Sequence, residues 1–201
     1  MTALQSTSLD SGPQRIAPFK MAHLVYRCAD RKSMVHWYCK LFQAELVFED
    51  DILTFITYDE EHHRLAFFNM PQLPEKTDNM VGVHHIAYSY RTIGELLATY
   101  ERLKSVDILP VWTINHGPTT SVYYRDPEGN DVELQVDNYA SAADAAAFFQ
   151  TQTFANNPIG TEFSADELVA MWHAGASDEQ LCTLGVAATG ANLGPQYRKK
   201  A

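Results

Sequence analysis

The sequence has little cysteine, few basic residues and no long apolar run. Its three cysteines are an odd number without CxxC spacing, which argues against a disulfide scaffold and indicates the reduced thiols of a cytoplasmic protein. No apolar stretch approaches the ~18 residues of a membrane span, and the start of the chain lacks the pattern of a secretory signal. The 15 Lys and Arg are outnumbered by 25 Asp and Glu and are scattered, which argues against a nucleic-acid partner.

Histidine, in contrast, is abundant. The chain has eight, and four of them form the doublets His62-His63 and His84-His85. A doublet alone carries no function, so its meaning depends on where the surrounding pattern places it.

An internal repeat organises most of the chain. The segments "FKMAHLVYRCAD" (19–30) and "VGVHHIAYSYRT" (81–92) are both typical of strands, and each is followed by a helical pattern. When His23 is aligned with His85, apolar residues coincide at offsets 11, 15 and 18, so the two predicted helices share a phase. The repeat has a period of about 62 residues.

Three short strands complete each unit. They are "ELVFE", "ILTFITY" and "HHRLAFF" after the first helix, and "PVWTINH", "TSVYYRD" and "DVELQV" after the second, with "DPEGN" as the last hairpin turn. The pattern predicts an α+β fold of two βαβββ modules; the alternative is one irregular domain whose halves are alike by chance. The predicted parts are a disordered or extended arm (1–17), a paired domain (18–139, with modules 18–70 and 80–139) and a helical C-terminal extension (140–201).

Strand alternation brings three chemically active residues to related positions. Glu133 lies on the polar face of "DVELQV", and His85 and His23 occupy equivalent places in the two modules. Two imidazoles and one carboxylate on three strands form a facial triad that suits Fe(II) or Mn(II) and leaves three metal positions open. The alternative for each residue is ordinary: a solvated strand glutamate, or a hydrogen-bonded core histidine.

The chain resembles the vicinal oxygen chelate superfamily, which includes glyoxalases and bleomycin-resistance proteins. Within "INHGPTTSVYYRDPEGNDVE", five separated elements are similar to the signature of extradiol ring-cleaving dioxygenases: a histidine, an apolar–tyrosine pair, an acid–proline turn, a glycine and a glutamate. "EEHHRLAFFN" resembles the strand that carries the family's active-site base. The likeness covers about 120 residues, enough for the one-domain form that includes enzymes for 2,3-dihydroxybiphenyl-like catechols.

The resemblance implies a site and a reaction. Fe(II), with Mn(II) as the alternative, would be held by His23, His85 and Glu133, and the partners would be a catechol and O₂. His63 is implied as acid/base, and His116 and Tyr123 as hydrogen-bond donors to the substrate oxygens. Asp126 is expected to order the turn, and a homo-oligomer is expected because paired sheets leave edges to cover.

Two other functions stay open at this point. A glyoxalase-type lyase or isomerase would need one carboxylate ligand in each module, but "HHRLAFF" contains no acid. A metal-free protein that sequesters a planar molecule is the other alternative. Four aromatic residues are candidates for cavity walls: Phe55, Phe67, Tyr88 and Trp112.

Overall fold

The structure, a computed structural model, describes residues 16–77 and 81–190, so most of the arm predicted for residues 1–17 lies outside it. The first module contains β1 (Leu24–Cys28), α1 (Arg31–Phe42), β2 (Glu45–Glu49), β3 (Leu53–Thr57) and β4 (Leu65–Asn69). The second contains β5 (His85–Ser89), α2 (Ile93–Lys104), β6 (Trp112–Asn115), β7 (Thr119–Arg125) and β8 (Asp131–Asp137). The segment after it contains α3 (Ala142–Phe148), α4 (Gln152–Asn156), β9 (Thr161–Glu162), α5 (Ala165–His173) and α6 (Asp178–Leu181).

Each module folds into its own sheet with the same topology. The strand orders are β1-β4-β3-β2 and β5-β8-β7-β6-β9. The first strand of each module pairs in parallel with the last, and the remaining pairs are antiparallel. The prediction of two βαβββ modules in an α+β fold is therefore confirmed.

The two long helices begin at matching side-chain caps. Asp30 accepts a hydrogen bond from the backbone N–H of Ser33, and Thr92 accepts one from Glu95. The apolar positions that coincide in the sequence repeat are all buried here; they are Met34, Tyr38 and Leu41 in α1 and Leu96, Tyr100 and Leu103 in α2. The apolar positions that coincide in the sequence repeat are thus the positions that each helix buries against its own sheet.

Both helices belong to one hydrophobic core, together with one face of each sheet. Arg102 of α2 donates to the carbonyls of Lys40 and Leu41 at the end of α1, at 2.6 and 2.9 Å. The ring of Phe42 in α1 packs on Tyr88 of β5, with ring centroids 4.5 Å apart. Because the helix-bearing faces of the two sheets share this core, the other face of each sheet is turned away from it.

Between residues 140 and 190 the C-terminal extension is helical, as expected, but it also supplies a strand that the sequence did not predict; residues 191–201 lie outside the described part of the chain. β9 pairs with β6 and becomes the fifth strand of the second sheet. All three cysteines are unpaired. Among the described residues, no helix has the length and apolar character that crossing a membrane requires.

Candidate functional site

A row of side chains on the second sheet forms the centre of the candidate site. The register places Trp112, Tyr123, Glu133 and Ala87 next to one another across four strands, on the face turned away from α2. Glu133 is only 4% exposed, while its strand neighbours Val132 and Leu134 pack into the core on the opposite face. A buried carboxylate needs compensating partners, so the groups around Glu133 are informative.

His85 is the main partner of Glu133. Its Nε2 lies 3.0 Å from Oε2 of Glu133, while its Nδ1 lies 2.7 Å from Nδ1 of His84. Burial raises the pKa of Glu133, but hydrogen bonds from His85 and Ser121 outweigh it and lower the pKa below its ordinary value. The hydrogen bond to Glu133 likewise raises the pKa of His85. The two shifts have one cause in common, the contact between Nε2 of His85 and Oε2 of Glu133.

His116 and Tyr123 form a second contact beside this pair. Nε2 of His116 lies 3.1 Å from the Tyr123 hydroxyl, and Nδ1 of His116 contacts the carbonyl of Ile159. A carbonyl can only accept, so Nδ1 carries the proton of a neutral ring. Burial lowers the pKa of His116, which favours this neutral form. The free Nε2 therefore accepts a hydrogen bond from Tyr123.

His23 and His63 lie together on the first sheet. Their ring centroids are 4.5 Å apart, and His63 also stacks on Phe55 at 4.5 Å. His23 directly precedes β1 and is exposed, whereas His63 is half-buried in the loop before β4. Burial lowers the pKa of His63, and the neighbouring His23 and His62 lower it further.

Of the four aromatic residues expected to line the cavity, two lie beside candidate site residues and two do not. Trp112 contacts Tyr123, and Phe55 contacts His63, so both adjoin candidate residues. Phe67 and Tyr88 were wrong choices, because strand alternation points them into the helix-lined core. The Trp112 indole donates to Glu162 of the extension at 2.9 Å.

Sequence reasoning missed two supports of the site. Ser121 bonds to Glu133, and its alternation with Tyr123 along β7 could have revealed their shared face. The carbonyl of Ile159 lies in an irregular loop 43 residues after His116, where no periodic signal exists. Asp126 orders the turn as expected, because one carboxylate oxygen accepts from the backbone N–H groups of Glu128 and Asn130.

Residues 20–134 match the model of the Glyoxalase/Bleomycin resistance protein/Dioxygenase superfamily. The chain belongs to this superfamily. It is 41% identical over 165 residues to "Biphenyl-2,3-diol 1,2-dioxygenase 2" of Rhodococcus globerulus, an alignment that covers 82% of this chain and 87% of the relative. "Biphenyl-2,3-diol 1,2-dioxygenase 3" of the same organism is 37% identical over 166 residues, with the same coverage of both chains. The expected resemblance to extradiol dioxygenases is confirmed.

A solved superfamily structure agrees with the fold. The "glyoxylase/bleomycin resistance protein/dioxygenase domain" of Frankia sp. EAN1pec aligns with a TM-score of 0.52 at 13% identity, over 62% of this chain and 96% of that one. This identity is low, and the likeness therefore concerns the fold alone.

Equivalent positions of the two superfamily modules can be read from the strand register. Ala87 pairs with Glu133 in the second module, and Val25 pairs with Ala66 in the first. Because Val25 is the repeat counterpart of Ala87, Ala66 occupies the place of Glu133. The first module thus has alanine where a second carboxylate ligand would lie.

His85 and Glu133 supply an imidazole and a carboxylate, which are donor types that divalent metal ions bind, and their Nε2 and Oε2 atoms lie 3.0 Å apart. These two residues would hold such an ion only together with a further ligand. Among residues 16–77 and 81–190, however, no three His, Cys, Asp or Glu side chains come together closely enough to hold a metal. His23 lies with His63 instead.

Proposed function

We propose that this protein is an extradiol dioxygenase that inserts O₂ next to the diol of a catechol and yields a ring-opened semialdehyde or ketoacid. The observation that carries the proposal is the contact of His85 with the buried carboxylate of Glu133 beside Tyr123, in a chain 41% identical to a biphenyl-2,3-diol 1,2-dioxygenase. Biaryl and alkyl catechols are the substrate class, and the working protein is a homo-oligomer.

The proposed cofactor is Fe(II), held by His23, His85 and Glu133, with Mn(II) as the alternative. Neutral imidazoles and a carboxylate are the donor set of mononuclear Fe(II) oxygenases, and they leave adjacent positions open. When bound, the metal supplies a point at which the diol oxygens and O₂ can be brought together. Glu133 is suited to this role because hydrogen bonding already keeps its buried carboxyl ionised.

His63 is proposed as the group that moves a proton. Its pKa is lowered by burial and by the two adjacent imidazoles, so the ring is neutral at working pH and can accept a proton from a catechol hydroxyl. Stacking between Phe55 and His23 restricts the ring to one orientation. A fixed, neutral base is what proton transfer to a defined atom requires.

Tyr123 and His116 are proposed to act as a unit on the substrate oxygens. The Ile159 carbonyl fixes the tautomer of His116, and His116 in turn orients the Tyr123 hydroxyl. The hydroxyl is also within hydrogen-bonding reach of Glu133, so it lies at the edge of the ligand set. Because the Tyr123 hydroxyl has one proton, it gives up its bond to His116 when it donates to a substrate oxygen, and His116 donates to substrate itself only when protonated.

The glyoxalase-type alternative is not favoured by the register. Such an enzyme would need an acid in the first module at the position equivalent to Glu133, and that position is Ala66. A metal-free binding protein would gain nothing from burying the Glu133 carboxylate, since removing a charge from water costs several kcal/mol. The dioxygenase uses Glu133 and His85 as ligands.

The test combines metal retention with product formation. Purified protein is loaded anaerobically with Fe(II), desalted, and mixed with 2,3-dihydroxybiphenyl and air. We expect a yellow ring-opened product and about one iron per site. Glu133→Ala should lose both, whereas Gln135→Ala, a change on the same face of the same strand, should keep them. Colourless wild-type reactions, or full iron and turnover in Glu133→Ala, would contradict the proposal.

A further inference from the structure

His116 lies in the loop between β6 and β7, and two asparagine side chains hold this loop. Asn115 is the last residue of β6, and Asn138 directly follows β8. Asn115 is only 2% exposed, and Asn138 is half-buried. Burying an amide costs free energy unless its polar atoms find hydrogen-bond partners. The partners of these two side chains therefore indicate which part of the molecule they hold in place.

The Asn115 side chain folds around His116. Its Oδ1 accepts a hydrogen bond from the backbone N–H of Gly117 at 2.9 Å, which closes a turn with His116 in the middle. Its Nδ2 donates to the carbonyl of Cys182 at 2.9 Å. Cys182 caps the C-terminal end of α6, where carbonyl groups lack partners within the helix. Asn115 thus fixes the turn and also joins it to the C-terminal extension.

The Asn138 side chain holds the same turn from the end of β8. Its Nδ2 donates to the carbonyl of Gly117 at 2.8 Å and to Oδ1 of Asn115 at 3.1 Å, and its Oδ1 accepts from the Thr120 hydroxyl at 2.8 Å. Both atoms that face Nδ2 are acceptors, so this end of the amide has to be the NH₂ group. The backbone N–H of Asn138 also donates to the carbonyl of Pro118 at 2.8 Å. Asn138 therefore bonds to the hairpin that carries His116 at four points.

The C-terminal extension contacts three consecutive residues of this loop. The carbonyls of Cys182 and Ile159 meet Asn115 and His116. The ring of Phe148 lies so close to Gly117, at φ +96, that a Cβ there would be 2.3 Å from its Cε1 and Cζ atoms. The turn around His116 is thus enclosed by the extension on one side and by Asn138 on the other.

We infer that Asn115 and Asn138 are positioning residues for His116, and that through Asn115 the C-terminal extension helps to set the orientation of the His116 ring. The two amides fix the backbone on both sides of His116, so that its Nδ1 reaches the Ile159 carbonyl and its Nε2 meets the Tyr123 hydroxyl. Misplacing such a group by about 1 Å lowers a reaction rate by up to ~10²-fold. The inference rests on the proposed function for the catalytic value of His116, whereas the orientation of the ring is measurable without substrate.

Nitrogen NMR of the His116 ring tests the inference, because it distinguishes the Nδ1-protonated tautomer from the Nε2-protonated one. The signal is assigned by its loss in His116→Gln. The wild type should show the Nδ1-protonated tautomer alone. Asn138→Asp keeps the shape of the side chain but removes both bonds that Nδ2 donates, and Asn115→Asp removes only the bond to the Cys182 carbonyl. We expect a mixture of the two tautomers in each variant.

A matched control makes the same change from amide to carboxylate in the first module. Asn69, at the end of β4, donates to the carbonyl of Asp51 at 3.1 Å, and Asn69→Asp should leave the His116 signal as in the wild type. Asn138→Ala removes the same bonds without adding a charge, so it serves if the carboxylate variant does not fold. A single Nδ1-protonated tautomer in folded Asn138→Asp or Asn138→Ala would overturn the inference.

Turnover separates this inference from the proposed function. In iron-loaded protein that cleaves 2,3-dihydroxybiphenyl, Asn138→Asp should lower kcat by about tenfold or more at unchanged iron content. An inactive wild type whose Asn138 variants show mixed tautomers would refute the proposed function and support the positioning. An active wild type whose folded variants keep both the single tautomer and the wild-type kcat would refute the positioning alone.

Discussion

The hydroxyl of Tyr38 connects the two modules, and its removal should measurably weaken the protein. Tyr38 is fully buried, and its hydroxyl lies 3.1 Å from Oδ2 of Asp126 in the second module and 2.7 Å from the hydroxyl of Tyr26. Tyr38→Phe keeps the ring, so no cavity forms. It removes one bond to a carboxylate and leaves the Tyr26 hydroxyl without this partner.

The expected loss is about 2 kcal/mol of unfolding free energy, since hydrogen bonds to charged groups contribute roughly 1.5–3 kcal/mol. The expected loss lies below the upper end of this range because the Asp126 carboxylate still accepts hydrogen bonds from Glu128 and Asn130. The assay is urea unfolding followed by circular dichroism. A loss of ~2 kcal/mol is roughly a thirtyfold change in the unfolding equilibrium constant.

The sequence repeat supplies a matched control. Tyr100 is the counterpart of Tyr38 in α2, and its hydroxyl donates to Asp166 at 2.8 Å. The Asp166 side chain is 65% exposed, so water can replace the bond, and Tyr100→Phe should cost only about 0.5 kcal/mol. Equal losses in the two variants would refute the conclusion that the buried bond between the modules is the stronger.

Three further changes test the site and its supports. His63→Gln should retain iron but lower turnover by about 10²-fold or more; unchanged turnover would remove its role as base. Gly160 has φ +112, and in Gly160→Ala the new methyl would lie 2.7 Å from Cα of His116. Because this displaces His116, which is not a proposed ligand, turnover should fall more than iron content; equal losses would contradict this. Burial raises the pKa of Asp59, but hydrogen bonds from the Glu61 backbone and Arg64 outweigh burial and lower it. Asp59→Asn should therefore lessen the fall in melting temperature between about pH 5 and 3; the same fall in the variant and the wild type would contradict this.

The sign of the acid effect follows from the direction of the shift. The pKa of Asp59 is lower in the folded protein than its ordinary value. Its ion pair with Arg64, 2.9 Å long, therefore stabilises the fold above the ordinary pKa of about 4, and the contribution is lost as the pH falls through the folded-state value.

The sequence was sufficient to predict elements whose periodicity repeats. The common offsets from His23 and His85 predicted the buried faces of α1 and α2, and alternation in "DVELQV" predicted that Glu133 faces away from the core. These predictions depend only on which side of one element is apolar, and a single segment contains that information.

Contacts between distant segments could not be predicted from the sequence in this way. Nothing in "TEFS" distinguishes β9 from a loop, because a two-residue strand has no periodicity. The contact between His116 and Ile159 joins two loops, and the placement of His23 and Glu133 on different sheets depends on how the modules pack. Such features arise from tertiary packing, which local patterns do not encode.

The Ile159 contact also has a consequence for the order in which the protein matures during synthesis. Chains emerge from the ribosome at about 5–20 residues per second and fold from the N-terminus. Both modules are complete once residue 139 has emerged, but the carbonyl that fixes His116 is made 20 residues later, and β9, which covers the edge of β6, follows it. A chain still held at the ribosome at this stage would fold its modules while His116 lacked the carbonyl that fixes its tautomer, so this side chain would reach its final state later than the fold.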